Sequence, residues 1–483
     1  MLRNHLATYL PAVLLPPAVA MGSLVLYSRV LPPGEYGRLT LIMAVTMLVI
    51  ALCARWLTIG ITRLYPAAER SGRGAHFIMT VLAVWAACLA VLGAGTLVFT
   101  AAFGDREPAY GWLAAIGFLI VAARTFVTCT NSVLRAQLRV GRYAITECAQ
   151  ALVGFALSVQ AGLWFGWRAG SILAGTATGY ALVAAIAAIG LVPDLAGGRP
   201  DRAGFVSLLR FAGPLTVTYG LALLLASADQ FFVQALIGAD AGGLYGAVNG
   251  LANRSIVLIF SGISMVVFPL SVRAMEQEGP AACRRRERQN VELVVALALP
   301  AAAFLIVAAP QMVHLLLGAA YRDAALSLLP WIVCATFVNR MAVDVFDHAF
   351  YLAQRTKLLL AVLLPAAVAS VALNLLLIPH YGLLGAAIAK VGEAVVMLAF
   401  SIGIGSRLLP IGVPGRATLR IVAATSAMIA ATVTAASLAL PLRASSVVVL
   451  AAIAGGVYGS AALVLDVLGA RRFLLTRVKR AWA

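Results

Sequence analysis

The sequence predicts an all-α polytopic membrane protein of about fourteen transmembrane helices, built as two pseudo-symmetric six-helix lobes with two further helices at the C-terminus. Three observations predict it. The chain has 483 residues, of which 62% are hydrophobic and only 11% charged, and its mean hydropathy is +0.98. Soluble domains carry about 25% charged residues, so a chain with half that share has lipid as its main solvent. Apolar runs of spanning length follow one another with short breaks, and basic residues crowd into alternate breaks.

In chain order the runs are 10–31, 37–61, 77–103, 110–133, 144–165, 170–192, 207–237, 243–269, 291–309, 326–350, 358–378, 383–405, 418–440 and 446–468. Each is close to or above the roughly twenty residues that cross a hydrocarbon core. Ala18-Val19-Ala20 mimics a signal-peptidase site, but the first run continues to Leu31, so it is expected to remain as a span. The longest break, Ser271 to Asn290, is predicted to be a polar loop too short for a soluble domain. Pro16, Pro17, Pro214, Pro269, Pro300 and Pro365 lie within runs and permit kinks.

The formal net charge is +18 and the pI about 10.3. On a soluble chain that would point to nucleic acid. Here the charge lies in short breaks, where topology explains it, and no nucleic-acid partner is expected. With a cytoplasmic N-terminus, the inside segments hold 25 Lys and Arg, among them Arg63, Arg70, Arg73, Arg139, Arg142 and Arg284-Arg285-Arg286. The outside segments hold 6: Arg29, Arg38, Arg106, Arg168, Arg322 and Arg443. The bias predicts a multi-pass protein of the bacterial inner membrane with both termini cytoplasmic.

Internal similarity sets the expected domains. Tyr36-Gly37 matches Tyr245-Gly246, Leu134-Arg135-Ala136-Gln137 matches Leu352-Ala353-Gln354-Arg355, and Gly170 matches Gly385, at offsets between 209 and 217. Each match joins a helix to the one six further on, which predicts parallel repeats. The expected boundaries are 1–195 and 207–405 for the lobes, 418–468 for the extra pair and 469–483 for a basic cytoplasmic tail.

Charges within spans are expensive and so are candidate functional groups. Arg55 and Arg254 have no acid three or four residues away and sit on equivalent helices of the two repeats. They are expected, with Arg124, to present a cationic cavity to a phosphate or pyrophosphate. The plainer reading is snorkelling or an inter-helix ion pair. Tyr245, Asn249 and Asn253 at i, i+4 and i+8, with Gln230 and Gln234 one helix earlier, read as a polar stripe for sugar hydroxyls or as inter-helix hydrogen bonds. Asp229, Arg340, Asp344, Asp347, Lys390 and Glu393 are candidates for gating or for coupling to a proton or sodium gradient. Arg340 with Asp344 and Lys390 with Glu393 are each spaced to pair on their own helix.

Catalytic patterns are lacking. The six Cys show no C-x-x-C, and no P-loop, H-E-x-x-H or G-x-S-x-G is present, so no catalytic residue, metal or cofactor is expected. Asn339, Asp344, Asp347 and His348 share a helix, but a magnesium site for a pyrophosphate would need a second acidic cluster.

Several segments in order along the chain carry a family resemblance. They are Leu31-Pro32-Pro33-Gly34-Glu35-Tyr36-Gly37, Leu209-Arg210-Phe211-Ala212-Gly213-Pro214-Leu215, Gly243-Leu244-Tyr245-Gly246-Ala247, Phe268-Pro269-Leu270-Ser271 and Leu317-Gly318-Ala319-Ala320-Tyr321. The last is Asn374-Leu375-Leu376-Leu377-Ile378-Pro379-His380-Tyr381-Gly382. With them the chain resembles the Wzx-type polysaccharide-biosynthesis flippases of the multidrug/oligosaccharidyl-lipid/polysaccharide (MOP) exporter superfamily. The resemblance implies a MATE-like fold, a central cavity, alternating access and an undecaprenyl-pyrophosphate-linked oligosaccharide as cargo. It implies membrane lipids as partners, a glycan polymerase and export machinery as further ones, and a monomer. The first helix lacks the central arginines of the related lipid II flippases. Three alternatives stand beside this reading: a lipid II flippase or multidrug exporter of the same superfamily, an integral-membrane glycan polymerase, ligase or prenyltransferase, and a non-transporting assembly partner.

Overall fold

The computed structural model describes residues 2–103, 108–437, 444–469 and 471. Arg106, Arg443 and the basic tail beyond residue 471 lie outside the described residues. Among the described residues there is no strand. The chain forms two compact units, Met1–Ser227 and Ala228–Ala483.

The first unit contains α1 (Leu2–Val30), α2 (Pro33–Ile50), α3 (Trp56–Arg70), α4 (Gly74–Phe103), α5 (Pro108–Ala136), α6 (Val140–Phe165), α7 (Ala169–Leu191) and the start of α8 (Arg202–Leu236). A π-helical turn, Ala51–Arg55, joins α2 to α3, so the two form one crossing. α5 is the hub and packs on α2, α3, α4, α6 and α7. The resemblance-bearing Pro32-Pro33 segment acts here as a helix start. Pro33 opens α2, where its missing N–H is not needed, and Glu35 accepts the backbone N–H of Ala169 at 2.8 Å. That carboxylate caps the N-terminal end of α7, where negative charge is favoured.

α6 and α7 approach closely because small residues face each other. A Cβ on Gly175 would stand 2.3 Å from the Leu157 carbonyl oxygen, and one on Gly179 would stand 2.7 Å from the Gly154 Cα. Only hydrogen fits at either position.

The second unit contains the rest of α8, then α9 (Ala239–Gln277), α10 (Pro280–Val307), α11 (Ala309–Leu316), α12 (Arg322–Met341), α13 (His348–Leu352), α14 (Leu359–Leu408), α15 (Gly415–Ser437) and α16 (Ala444–Val464). A second π-helical turn, Ala342–Phe346, joins α12 to α13. α12 packs between α9 and α14, α10 lies on α9 and α15, and α15 pairs with α16.

One expectation changes. The polar loop expected over 271–290 is largely helical: α9 runs to Gln277 and α10 starts at Pro280. Helices continue into water beyond the bilayer when one face stays covered, and Cys283, Glu287, Asn290 and Val291 supply that buried face. Among the described residues 13 helical stretches are long and apolar enough to span, one fewer than the fourteen expected runs. The difference lies in Thr356–Leu408, 53 residues long, which is broken at Gly382 (φ 57°, ψ −134°) and so counts as two crossings. That conformation is open essentially only to glycine.

Large apolar side chains cover the outside. Val91, Leu97, Val98 and Ile189 are each about two-thirds or more exposed (76%, 71%, 68% and 73%). Water would penalise that surface heavily, whereas lipid does not. The chain is therefore a multi-pass membrane protein. Trp112, Trp164 and Phe165 are also exposed, at helix ends that the charge bias assigns to the outer interface.

Candidate functional site

The strongest concentration of buried charge lies in the second unit, on three helices. α8 supplies Asp229, α9 supplies Tyr245, and α14 supplies Lys390 and Glu393. The Lys390 ammonium donates to Asp229 Oδ2 at 2.6 Å, and the Tyr245 hydroxyl donates to the same oxygen. Asp229 is 2% exposed and Tyr245 fully buried. Asp229 Oδ1 has no hydrogen-bond partner. Glu393, one helical turn beyond Lys390, is buried and makes no ion pair among the described residues.

This corrects the expected pairing of Lys390 with Glu393 along one helix. Lys390 reaches across to Asp229 instead, and Glu393 is left beside the pair. The cluster thus holds two carboxylates and one ammonium. Full ionisation would strand a negative charge in a buried site, a large penalty. The geometry therefore has the chemistry of a cation or proton receptor, with Asp229 Oδ1 and the Glu393 carboxylate available.

The expected sugar-facing stripe is also rearranged. Tyr245 is turned inward and its hydroxyl is committed to Asp229. Asn253 donates to Asn249 Oδ1 at 2.7 Å, so one amide of this half-buried pair is committed to the other. Gln230 is buried, and its Nε2 is without a partner. Arg254 is half-buried on α9.

In the first unit, Arg55 ends the π-helical turn, is exposed, and lies over the Tyr219 ring at 5.0 Å. Arg124 on α5 donates to the Tyr180 hydroxyl of α7 at 2.9 Å, with its guanidinium 5.4 Å from that ring. An apolar cavity of ≈ 810 Å³, lined by Val49, Leu52, Trp56, Val91 and Phe205 among others, suits hydrocarbon better than sugar.

Arg340 and Asp344 pair at 3.0 Å as their spacing predicts. Asp347 accepts from Ser401 at 2.7 Å, and His348 Nδ1 lies 3.3 Å from Glu287 Oε2. The Asp344, Asp347 and His348 side chains thus go to three separate partners. No cluster of metal-ligating residues occurs among the described residues. Glu287, Asn290 and Ser401 were missed in the sequence. Glu287 is the one acid inside Arg284-Arg285-Arg286-Glu287-Arg288, and its burial was signalled only by the helical spacing of Cys283, Glu287, Asn290 and Val294.

Solved structures similar to this bundle of spanning helices include membrane transporters. Lipid II flippase MurJ, in an inward closed conformation, matches with a TM-score of 0.76 at 11% identity, covering 94% of this chain and 98% of that one. An inward-facing multidrug resistance MATE family transporter of the MOP superfamily gives 0.65 at 16% identity, covering 81% and 94%. A MOP superfamily transporter from Pyrococcus furiosus gives 0.53 at 17%, covering 82% and 93%. At these identities the likeness is one of fold, and the expected MOP fold is the one found. No curated protein matches in sequence. The polysaccharide biosynthesis protein family matches residues 26–326, more than half of the chain, and the chain belongs to that family.

Proposed function

We propose that this protein carries an undecaprenyl-pyrophosphate-linked oligosaccharide, the repeat unit of a surface glycan, from the cytoplasmic to the outer face of the bacterial inner membrane by alternating access. Membership of the polysaccharide biosynthesis family, over residues 26–326, carries this reading. A fold shared with a lipid flippase supports it. Arg254 and Arg55 are the cations proposed to meet the pyrophosphate, since guanidinium forks bind phosphoryl oxygens in pairs. Arg124, which donates to the Tyr180 hydroxyl, is proposed to act with them. The Asp229–Lys390–Glu393 cluster is proposed to take up a proton or sodium ion during the cycle. The protein acts as a monomer beside a glycan polymerase and export machinery, and no catalytic step is assigned to it.

A deletion strain tests the reading. Lipid-linked repeat unit should accumulate on the cytoplasmic face, surface polymer should vanish, and the accumulated glycan identifies the cargo. If lipid-linked glycan still reaches the outer face, the reading fails. Arg254→Ala should abolish complementation at unchanged membrane abundance; normal polymer would remove Arg254 from the site. A multidrug exporter is the second reading, favoured by the buried acids Asp229 and Glu393. It requires loss of drug tolerance in the deletion strain with glycan unaffected.

A further inference from the structure

A second buried titratable cluster lies apart from the Asp229 group, around the π-helical turn Ala342–Phe346. Glu287 of α10 and His348, the first residue of α13, face each other with Oε2 and Nδ1 3.3 Å apart. Their side chains are 0% and 6% exposed. Asn290 Nδ2 donates to the same Oε2 at 3.3 Å. Asn290 Oδ1 is buried without a hydrogen-bond partner, and the buried Ser271 hydroxyl of α9 lies beside the Glu287 carboxylate. We infer that Glu287 and His348 form a proton-binding site whose occupancy fastens α13 to α10 across the π-helical turn.

The argument is electrostatic. An ionised carboxylate this deeply buried is costly unless a cation faces it. Among the described residues, the cation that pairs with Glu287 is the His348 imidazolium. With one shared proton the pair is neutral overall, either as imidazolium and carboxylate or as imidazole and carboxylic acid. Loss of that proton leaves a bare buried charge. Histidine is the side chain whose ordinary titration lies near neutral pH, at about 6.5. The other groups facing the pair do not replace it. From α10 comes the Cys283 thiol, which donates to the Ser271 carbonyl, and from α9 the Phe268 ring, 4.8 Å from the imidazole. On the same segment Asp347 is held by Ser401 of α14, and Asp344 by Arg340.

The location links the proton to movement. The backbone N–H of Asp347 bonds to Ala342 O at 2.8 Å in the wide π register, and Ser264 Oγ donates to the Asp344 carbonyl at 3.3 Å. Such turns are points where a helix can change register. Below the turn, Ala349 and Leu352 pack with Cys283 and Leu409, so the ion pair and this small apolar cluster hold α13 together. The site does not depend on the cargo proposed above.

Hydrogen exchange of the protein in lipid nanodiscs, followed from pH 5.5 to 8.5 and corrected for intrinsic rates, tests this. Peptides covering 342–352 should be protected at low pH and lose at least about tenfold of that protection as pH rises, one pK unit of coupling being tenfold. His348→Gln and Glu287→Gln should abolish the pH dependence while peptides from α15 stay protected. A flat wild-type profile, or a titration retained in His348→Gln, overturns the inference. If either variant loses protection throughout, ¹⁵N-histidine NMR of the wild-type decides. With resonances assigned from variants at the other histidines, a His348 signal that does not titrate between pH 5.5 and 8.5 overturns it.

Discussion

At Asp229 a single carboxylate oxygen receives both the Lys390 ammonium and the Tyr245 hydroxyl, while the other oxygen receives nothing. Such a group depends heavily on its cation. Removing one partner of a buried ion pair costs about 3–5 kcal/mol because the other charge is left uncompensated. Lys390→Met should therefore lower the unfolding midpoint of the purified protein sharply. Asp229→Asn combined with Lys390→Met should recover most of the loss, since the double change removes both charges. Equal instability of the single and double variants would show that Lys390 matters through packing alone. Glu35 tests a smaller effect. It caps α7 and also pairs with Arg38 at 2.8 Å. Glu35→Ala should destabilise by about 1 kcal/mol, as loss of a capping carboxylate does. Because Arg38 is exposed, nearly all of that loss belongs to the cap, and Arg38→Ala should change the midpoint little.

At the scale of elements, the sequence revealed spans better than what joins them. Apolar runs located the crossings because a bilayer demands about twenty apolar residues and nothing else in the chain imitates that. Over 271–290 the polar composition signals a loop, whereas the segment is largely helical. The 3.6-residue spacing of Cys283, Glu287, Asn290, Val291 and Val294 was there to be read, under a run of exposed arginines. Charge pairing within a helix was legible for Arg340–Asp344, whose spacing decides it. It was not legible for Lys390, whose partner lies 161 residues away on another helix. The π-helical turns at Ala51–Arg55 and Ala342–Phe346 have no Pro or Gly to announce them. The α6–α7 contact is more predictable. Gly175 and Gly179 form a G-x-x-x-G pair on α7, the spacing that lets membrane helices approach. Gly179→Leu would force the Gly154 backbone away from its present 2.7 Å approach to the new Cβ. Overpacking of this kind costs about 1–3 kcal/mol. The expected outcome is a lowered midpoint, whereas Gly403→Leu, at a position where a Cβ meets nothing, should be neutral.

For the whole molecule, topology turns on α14. Its 50 residues would extend about 75 Å at 1.5 Å per residue, more than twice a hydrocarbon core of about 30 Å. A single crossing would leave half of this apolar segment in water. The break at Gly382 resolves this, dividing the segment into two crossings that meet at Tyr381-Gly382. The charge bias requires the same division. Arg407 lies in the last turn of α14 and Arg416 and Arg420 at the start of α15, and they fall on the cytoplasmic side only if α14 crosses twice. With a cytoplasmic N-terminus, Gly382 then lies at the outer face and Ser406 at the inner. Both Tyr381 and Ser406 are exposed, so each can carry a labelled cysteine. In a background without the native cysteines, Tyr381→Cys should react with a membrane-impermeant maleimide in intact spheroplasts. Ser406→Cys should react only after the membrane is opened. Labelling of Ser406→Cys in intact spheroplasts, with Tyr381→Cys silent, would mean an inverted protein. Labelling of both would mean that α14 does not return across the membrane, and the count of fourteen crossings would fall with it.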